Sequence, residues 1–407
     1  MRLDLPRHMQ SEDELIRIIQ RTVKSRGRVR LGIGDDAAVL KDGTVITADA
    51  YAEGVHFDLS YMSLRQVGER CACGAISDVV AMAAEPEAVL VSLGLPRASG
   101  EQLAVSCPRS QGDVRSQMLE ARCQKSGRGR PHAVCRMPFA ECVRELYRGI
   151  ESVCRELGCE VAGGDIIVAD QLMLALTVTG KTRTPKLRSG AKPGDHLYVT
   201  GHLGSAEAGR HLLAGQVKMQ SAKCRMRNGG EAEDGLQIAE CRLQIGGAGL
   251  LAVGRKLSAV PRWVWPLVRR HLRPIPRLAA MRVLKSCIHG LIDTSDGLAT
   301  DARHLCKMSG VRVVVDAEAL PVLPGVSRFC AANGFDPLDF VLGAGEDYEL
   351  LFTSRRLLSD TIGGVKVTRI GSVQKGRGLC IRRDGRVLPV TASGYDHMRV
   401  DNDKTGC

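Results

Sequence analysis

The stretch 287-CIHGLIDTSDGLATDARHLCKMSGVRVVVDAEAL-320 changes its hydrophobic period twice. Apolar residues adjoin at Leu291 and Ile292, spread to helical spacing from Leu298 to Cys306, then crowd again from Val311 to Val315. Strand, helix, strand is the expected order. Asp293 and Asp296 stand where the first strand stops, with Ser295 between them and Gly297 behind. Each aspartate alone reads as a helix cap. Two carboxylates and a hydroxyl at one strand end also read as one wall of a charged site.

The same alternation extends outward. "TVITADA" (44–50) and "EAVLVSLGLP" (87–96) read as strands around a helix over 64–84. A long amphipathic helix over 139–158 leads to two further strands, 159–165 and 171–181. "SGAKPGDHLYVTG" (189–201) is a turn entering a strand, and Ser11 with Glu14 has capping-box spacing before an N-terminal amphipathic helix. These units predict an α/β (α+β) fold in two domains, 1–183 and 184–407. Residues 99–138 and 214–262 lack a sustained period, are rich in loop formers, and read as insertions.

Composition narrows the function classes. The 407 residues are 44% hydrophobic and 25% charged, and no apolar run approaches the ~18 residues of a membrane span. The N-terminus lacks a signal-peptide pattern, and fifteen cysteines without CxxC spacing predict reduced thiols in a cytoplasm. The net charge of +12 is regional. Residues 99–138 hold seven Lys/Arg against three Asp/Glu and residues 214–285 fourteen against four, so the rest of the chain carries −2. With 3% aromatics, solvated basic loops fit better than a nucleic-acid surface.

No phosphate loop is present. "GLLAVGRKLS" (249–258) has Arg255 where the lysine belongs, and "LGIGDDAAVL" (31–40) lacks the third glycine of a dinucleotide fingerprint. What recurs is aspartate: Asp35, Asp36, Asp49, Asp78, Asp165, Asp293 and Asp296 all lie in Gly/Ala/Ile-rich, core-like surroundings. Singly, Asx turns and caps explain them. Together, buried like charges require pairing or cations. Mg²⁺, a hard ion bound by carboxylates and substrate phosphates, is the expected counter-charge, which implies a phosphate enzyme.

Several motifs in order then resemble the thiamine-monophosphate kinase family of the aminoimidazole-ribonucleotide-synthetase-like superfamily: "GIGDDAAVL", "ADAYAEGVHF", "AISDVVAMAAEPEAVLVSLGLP", "LYRGIESVCRELGCEVAGGD", "RSGAKPGDHLYVTG", "RRHLRPIPRL", "LIDTSDGL" and "AGEDYELLF". The resemblance covers nearly the whole chain outside the two basic segments. It implies two α/β domains, each a mixed sheet packed with helices, and homodimers joined through the N-terminal sheets. It implies direct transfer of the γ-phosphoryl of ATP to thiamine monophosphate, giving thiamine diphosphate. Carried over by motif, Asp35, Thr47, Asp49, Asp78, Asp165, Asp293 and Asp296 fall on magnesium positions, with Asp78, Asp293 and Asp296 central to catalysis. Tyr147, Gly164, Asp165, Arg188 and Ser295 fall on nucleotide-contacting positions, and His56 and Glu346 on positions that hold the thiamine substrate. Ala75, Ser205 and Ala392 depart from the pattern, with Tyr395 near the last. A superfamily enzyme with another acceptor, or a nucleotide-binding protein without turnover, are the alternatives these departures keep open.

Overall fold

A computed structural model describes residues 12–23, 27–97, 102–106, 134–215 and 261–390. Helix α1 (Glu12–Thr22) precedes strands β1 (Val29–Leu31), β2 (Ala38–Leu40) and β3 (Thr44–Ala52). Helix α2 (Leu64–Ala81), β4 (Glu85–Pro96), β5 (Gln102–Ser106), β6 (Val134–Pro138), α3 (Phe139–Leu157), β7 (Glu160–Ala169) and β8 (Met173–Lys181) follow. One six-stranded sheet results, in the order β1-β2-β3-β8-β4-β7. Its pairs are antiparallel except β4–β7, which run parallel with α3 inside the crossover between them. Strands β5 and β6 pair as a separate two-stranded ladder inside 99–138, the segment whose pattern predicted no element. Most of 214–262 lies outside the described residues.

Helix α2 is fixed by its ends and its glycines. Ser63 and Gln66 form a reciprocal capping box at its start: Gln66 N–H donates to Ser63 Oγ at 3.3 Å and Ser63 N–H to Gln66 Oε1 at 2.9 Å. Gly68 meets Gly149 of α3 backbone to backbone. A Cβ at Gly68 would lie 2.1 Å from the Leu146 carbonyl oxygen, and one at Gly149 2.1 Å from that of Arg65. This close crossing lays α2 and α3 on one face of the sheet, where Val67, Ile76, Val80, Leu146 and Ile150 are buried with Val91, Leu176 and Val178. The Ser11 half of the expected N-terminal capping box lies outside the described residues.

From β9 (His196–Thr200) onward a second sheet forms with β10 (Leu291–Asp293), β11 (Arg312–Asp316), β12 (Leu350–Ser354), β13 (Thr361–Ile362), β14 (Val365–Gln374), β15 (Gly378–Arg383) and β16 (Arg386–Pro389). Its order is β10-β12-β9-β14-β11-β15-β16, with β13 on β14. Helices α4 (Ser205–Leu213), α5 (Val264–Leu272), α6 (Leu278–Leu284), α7 (Leu298–Ser309), α8 (Pro324–Asn333) and α9 (Pro337–Gly343) accompany it. Leu267, Leu298, Leu305 and Phe329 pack on one side against Val199, Val313 and Leu351. Tyr198, Leu350 and Phe352 from the other side join the same apolar core as α2. Helix α2 therefore touches both halves, and the ends of both sheets can meet at its flank.

"GEDYEL" (345–350) runs as loop into a strand. Leu350 opens β12, paired to Asp293 of β10. The acids before it serve other elements. Asp347 accepts N–H bonds from Gly204 (2.6 Å) and Ala206 (3.0 Å) at the start of α4. Glu349, fully buried, receives Arg277 through two bonds of 2.6 and 2.5 Å, Arg270, and the Thr200 hydroxyl at 2.6 Å.

Candidate functional site

The period of two along β3 puts Val45, Thr47, Asp49 and Tyr51 on the side that faces α2. Asp78 of α2 meets that row, its Oδ2 accepting the Thr47 hydroxyl at 2.7 Å. One position earlier, Ser77 donates to Asp293 Oδ2 at 2.6 Å and so links α2 to the end of β10. Asp36, in the turn before β2, completes the group. Asp36, Asp78 and Asp293 each offer a carboxylate oxygen within 4.8 Å of the others. Asp49 adjoins them, held by the Tyr51 hydroxyl at 2.9 Å.

These carboxylates are under electrostatic load. Burial first, then Asp36 beside it, pushes the Asp293 carboxyl up to about 8. Burial, then Asp49 and Asp293, drives Asp78 well above the ordinary carboxylate range, and burial also raises Asp36 and Asp49. Asp35 rises to about 6 from burial and the neighbouring Asp36. Arg188 opposes this: its Nε and Nη2 reach Asp36 Oδ1 at 3.1 and 2.5 Å, and its backbone N–H donates to Asp35 Oδ1 at 3.1 Å. Even so, Asp35 Oδ2, Asp36 Oδ2 and Asp293 Oδ1 are buried with no hydrogen-bond partner. Converging hard oxygens with unfilled lone pairs fit a divalent cation such as Mg²⁺.

The structure divides the expected residues into three groups. Thr47, Asp49, Asp78 and Asp293 share the acidic cluster, with Asp35 at its border. The close triad contains Asp36, which sequence reasoning counted among the core-like aspartates but did not carry to a metal position. Arg188 sits on this cluster through Asp36, apart from the second group. That group, Tyr147, Gly164 and Asp165, lines an open hollow of ≈ 440 Å³ with Val161 to Gly163 and Ile166. Gly164 has φ +156°, and a Cβ there would lie 1.9 Å from the Val91 carbonyl oxygen, so only glycine lets β7 approach β4. Asp165 is exposed, accepts the Ile166 N–H at 2.8 Å, and stands outside the triad. Both Asp49 and Asp165 lie within their strands rather than at strand ends, because β3 and β7 run on past them.

The third group borders the cluster. His56 Nδ1 accepts the Ala52 N–H at 3.1 Å, and its ring meets Tyr51 edge-on at 5.5 Å. Glu346 has φ +62° and Tyr348 φ +50°, both unusual for side-chain-bearing residues. Their N–H groups donate to the carbonyl oxygens of Ser295 (2.7 Å) and Thr294 (3.0 Å), which ties this loop to the one carrying Asp296. Gly74 of α2 completes the junction, since a Cβ there would fall 2.4 Å from the Tyr51 hydroxyl and 3.0 Å from that of Tyr348.

Asp301 escaped the sequence reading. In the first turn of α7 it is buried, accepts the Gly297 N–H at 3.1 Å, and has its carboxyl pushed well up by burial and by Asp296 and Asp293. Among the departures, Ala75 is fully buried in the α2 core, and Ser205 opens α4 with its hydroxyl buried and unpartnered. Ala392 and Tyr395 lie outside the described residues.

Comparison with known proteins agrees with this picture. The family model of the AIR synthase related protein, N-terminal domain, matches residues 34–113 and 129–182. The thiamine-monophosphate kinase of Aquifex aeolicus (strain VF5) is 28% identical over 387 residues, covering 94% of this chain and 97% of its own. That of Escherichia coli (strain K12) is 28% identical over 404 residues, with coverages of 94% and 97%. The solved structure of AaThiL complexed with AMPPCP and TMP superposes with a TM-score of 0.69 at 26% identity, over 96% of this chain and 100% of that one.

Proposed function

We propose, from the premise that this chain is one of the thiamine-monophosphate kinases of the AIR-synthase-related superfamily, that it transfers the γ-phosphoryl of ATP to the phosphate of thiamine monophosphate. The observation that carries the reading is the convergence of Asp36, Asp78 and Asp293 from a turn, a helix and a strand end, with oxygens left unpartnered, in a chain matched along nearly its whole length. The AaThiL neighbour is complexed with AMPPCP and TMP, and ATP and thiamine monophosphate are assigned to the corresponding places here.

In this mechanism Asp36, Asp78 and Asp293, with Asp49 and Thr47 adjoining and Asp35 and Asp296 at the margin, hold Mg²⁺. Magnesium bound there supplies neutralisation of phosphate charge and alignment of donor and acceptor oxygens. Ser77 and Thr47 fix the Asp293 and Asp78 carboxylates by hydrogen bonds, so the donor oxygens need little reorganisation. Arg188 holds Asp36 and can offer guanidinium N–H groups to phosphate. Tyr147, Gly164, Asp165 and Ser295 contact the nucleotide, while His56 and Glu346 hold the thiamine moiety. No side chain becomes a covalent intermediate, and catalysis is alignment plus charge stabilisation. Residues 1–183 form the nucleotide and dimerisation domain and 184–407 the second domain. The protein works as a cytoplasmic homodimer; exposed Leu90, Ile166, Ile167 and Val168 on the open side and edge of the first sheet support pairing there.

Incubation of the purified protein with Mg²⁺, ATP and thiamine monophosphate should yield thiamine diphosphate and ADP. Asp293→Asn should keep the fold and lower the rate about a hundredfold or more. ATP binding without any thiamine diphosphate would refute the assignment.

A further inference from the structure

Arg70 lies in mid-α2, and its side chain is 1% exposed. A guanidinium at that depth requires partners, and it finds them on three separate segments. Nε donates to the His56 carbonyl oxygen at 2.9 Å, Nη1 donates to the His271 carbonyl at the end of α5, and Nη2 stands 2.5 Å from Glu346 Oε1. The last contact is a close ion pair rather than an aligned hydrogen bond. Burial alone would lower the Arg70 pKa, but the Glu346 carboxylate outweighs it and the net direction is up.

Two of these three segments carry the residues assigned to the acceptor, His56 and Glu346. We infer that Arg70 is a positioning residue for the phosphate acceptor, clamping the 53–57 turn and the 345–348 loop at a fixed separation across α2. The inference rests on the proposed function, which supplies the acceptor. Neither segment belongs to a regular element at that point, so their spacing is set from α2 by Arg70 together with the close approach of Tyr51 and Tyr348 to Gly74. The left-handed backbone at Glu346 and Tyr348 is costly in isolation and persists only where neighbours over-determine it. Arg70 adds a side-chain restraint to the two backbone bonds that Glu346 and Tyr348 donate to the Ser295 and Thr294 carbonyls. Glu346 keeps 24% of its side chain exposed, so it stays reachable from solvent while Arg70 holds it from within. A lysine could pair with Glu346, but it lacks the planar fork that also reaches two carbonyls.

The test is a split in Michaelis constants among Arg70→Met, Arg70→Lys and Glu346→Gln, each assayed below its unfolding temperature. Arg70→Met should raise KM for thiamine monophosphate about tenfold or more, the loss of one charge-assisted contact, with KM for ATP nearly unchanged and Arg70→Lys intermediate. A purely structural arginine would lower thermal stability and move both constants together, or neither; either result overturns the inference. If Arg70→Met does not fold, Arg70→Lys is combined with Glu346→Gln. The double variant should raise the acceptor KM no further than Glu346→Gln alone, and full additivity overturns the clamp. Wild-type protein that forms no thiamine diphosphate defeats the functional reading itself. Active wild type with an unmoved acceptor KM defeats only the role of Arg70.

Discussion

At the scale of the residue, the chemistry follows from where charge is placed without enough counter-charge. Asp293 is 1% exposed, hydrogen-bonded by Ser77 on one oxygen and by nothing on the other. Its carboxyl near 8 means that without a cation it is mostly protonated at neutral pH. Divalent-ion binding must then displace a proton, so Mg²⁺ affinity should rise with pH toward and through about 8, with proton release visible by calorimetry in two buffers. Asp36→Asn removes one of the repelling charges. Saturating Mg²⁺ should then no longer add to this variant the ~3 kcal/mol expected at a hundredfold excess over Kd. Equal Mg²⁺ shifts in both proteins would remove Asp36 from the ion site.

At the scale of the element, "GEDYEL" shows how one short loop organises four neighbours. Glu346 faces α2, Asp347 closes the N-terminus of α4, Tyr348 joins Tyr51 at Gly74, and Glu349 anchors α5 and α6 through Arg270 and Arg277. Asp347 carries a testable pH signature, because burial pushes its carboxyl up to about 6 although two N–H groups favour the charged form. A folded pKa above the unfolded one contributes stability that is complete below about 4 and lost as pH rises through about 6. Urea unfolding of the parent should therefore lose about 3 kcal/mol from this group across that window, and Asp347→Asn should show a correspondingly flatter profile. The β5–β6 ladder carries a second prediction. The family match stops at 113 and resumes at 129, so excising 114–128 leaves both strands intact. Turnover should stay within about twofold, since the length of a connection costs little in closure entropy; a collapse in rate would assign the segment a role.

At the scale of the whole molecule, the site exists because α2 packs against both sheets. Ser77 and Asp78 face β3 and β10 while Arg70 reaches α5 and the 345–348 loop. The first sheet covers one face with α2 and α3 and leaves Ile166 at 55%, Ile167 at 52% and Val168 at 67% exposure on edge strand β7. An unpaired apolar edge of this kind invites a second chain. If the proposed homodimer pairs through this edge, Ile167→Arg combined with Val168→Arg should shift sedimentation from dimer to monomer, and an unchanged dimer coefficient would place the interface elsewhere.

The strand–helix–strand order around 287–320, the long helix over 139–158 and the helix α2 within 64–84 were legible from periodicity, since those signals are local and backbone geometry imposes them. The aspartates were legible as a set, because charge in core-like surroundings is anomalous wherever it occurs. Which of them share a cation was not. Asp36 rather than Asp35 closes the triad, and Asp165 stands outside it, exposed on the edge strand. Asp301 and Arg70 gave no warning, one posing as a first-turn helix acid and the other as an ordinary helix cation. Arg70's partners His271 and Glu346 lie more than two hundred residues away in sequence, and Asp301 is buried by the packing around α7; burial and long-range pairing are properties of distance in space, which no local pattern encodes.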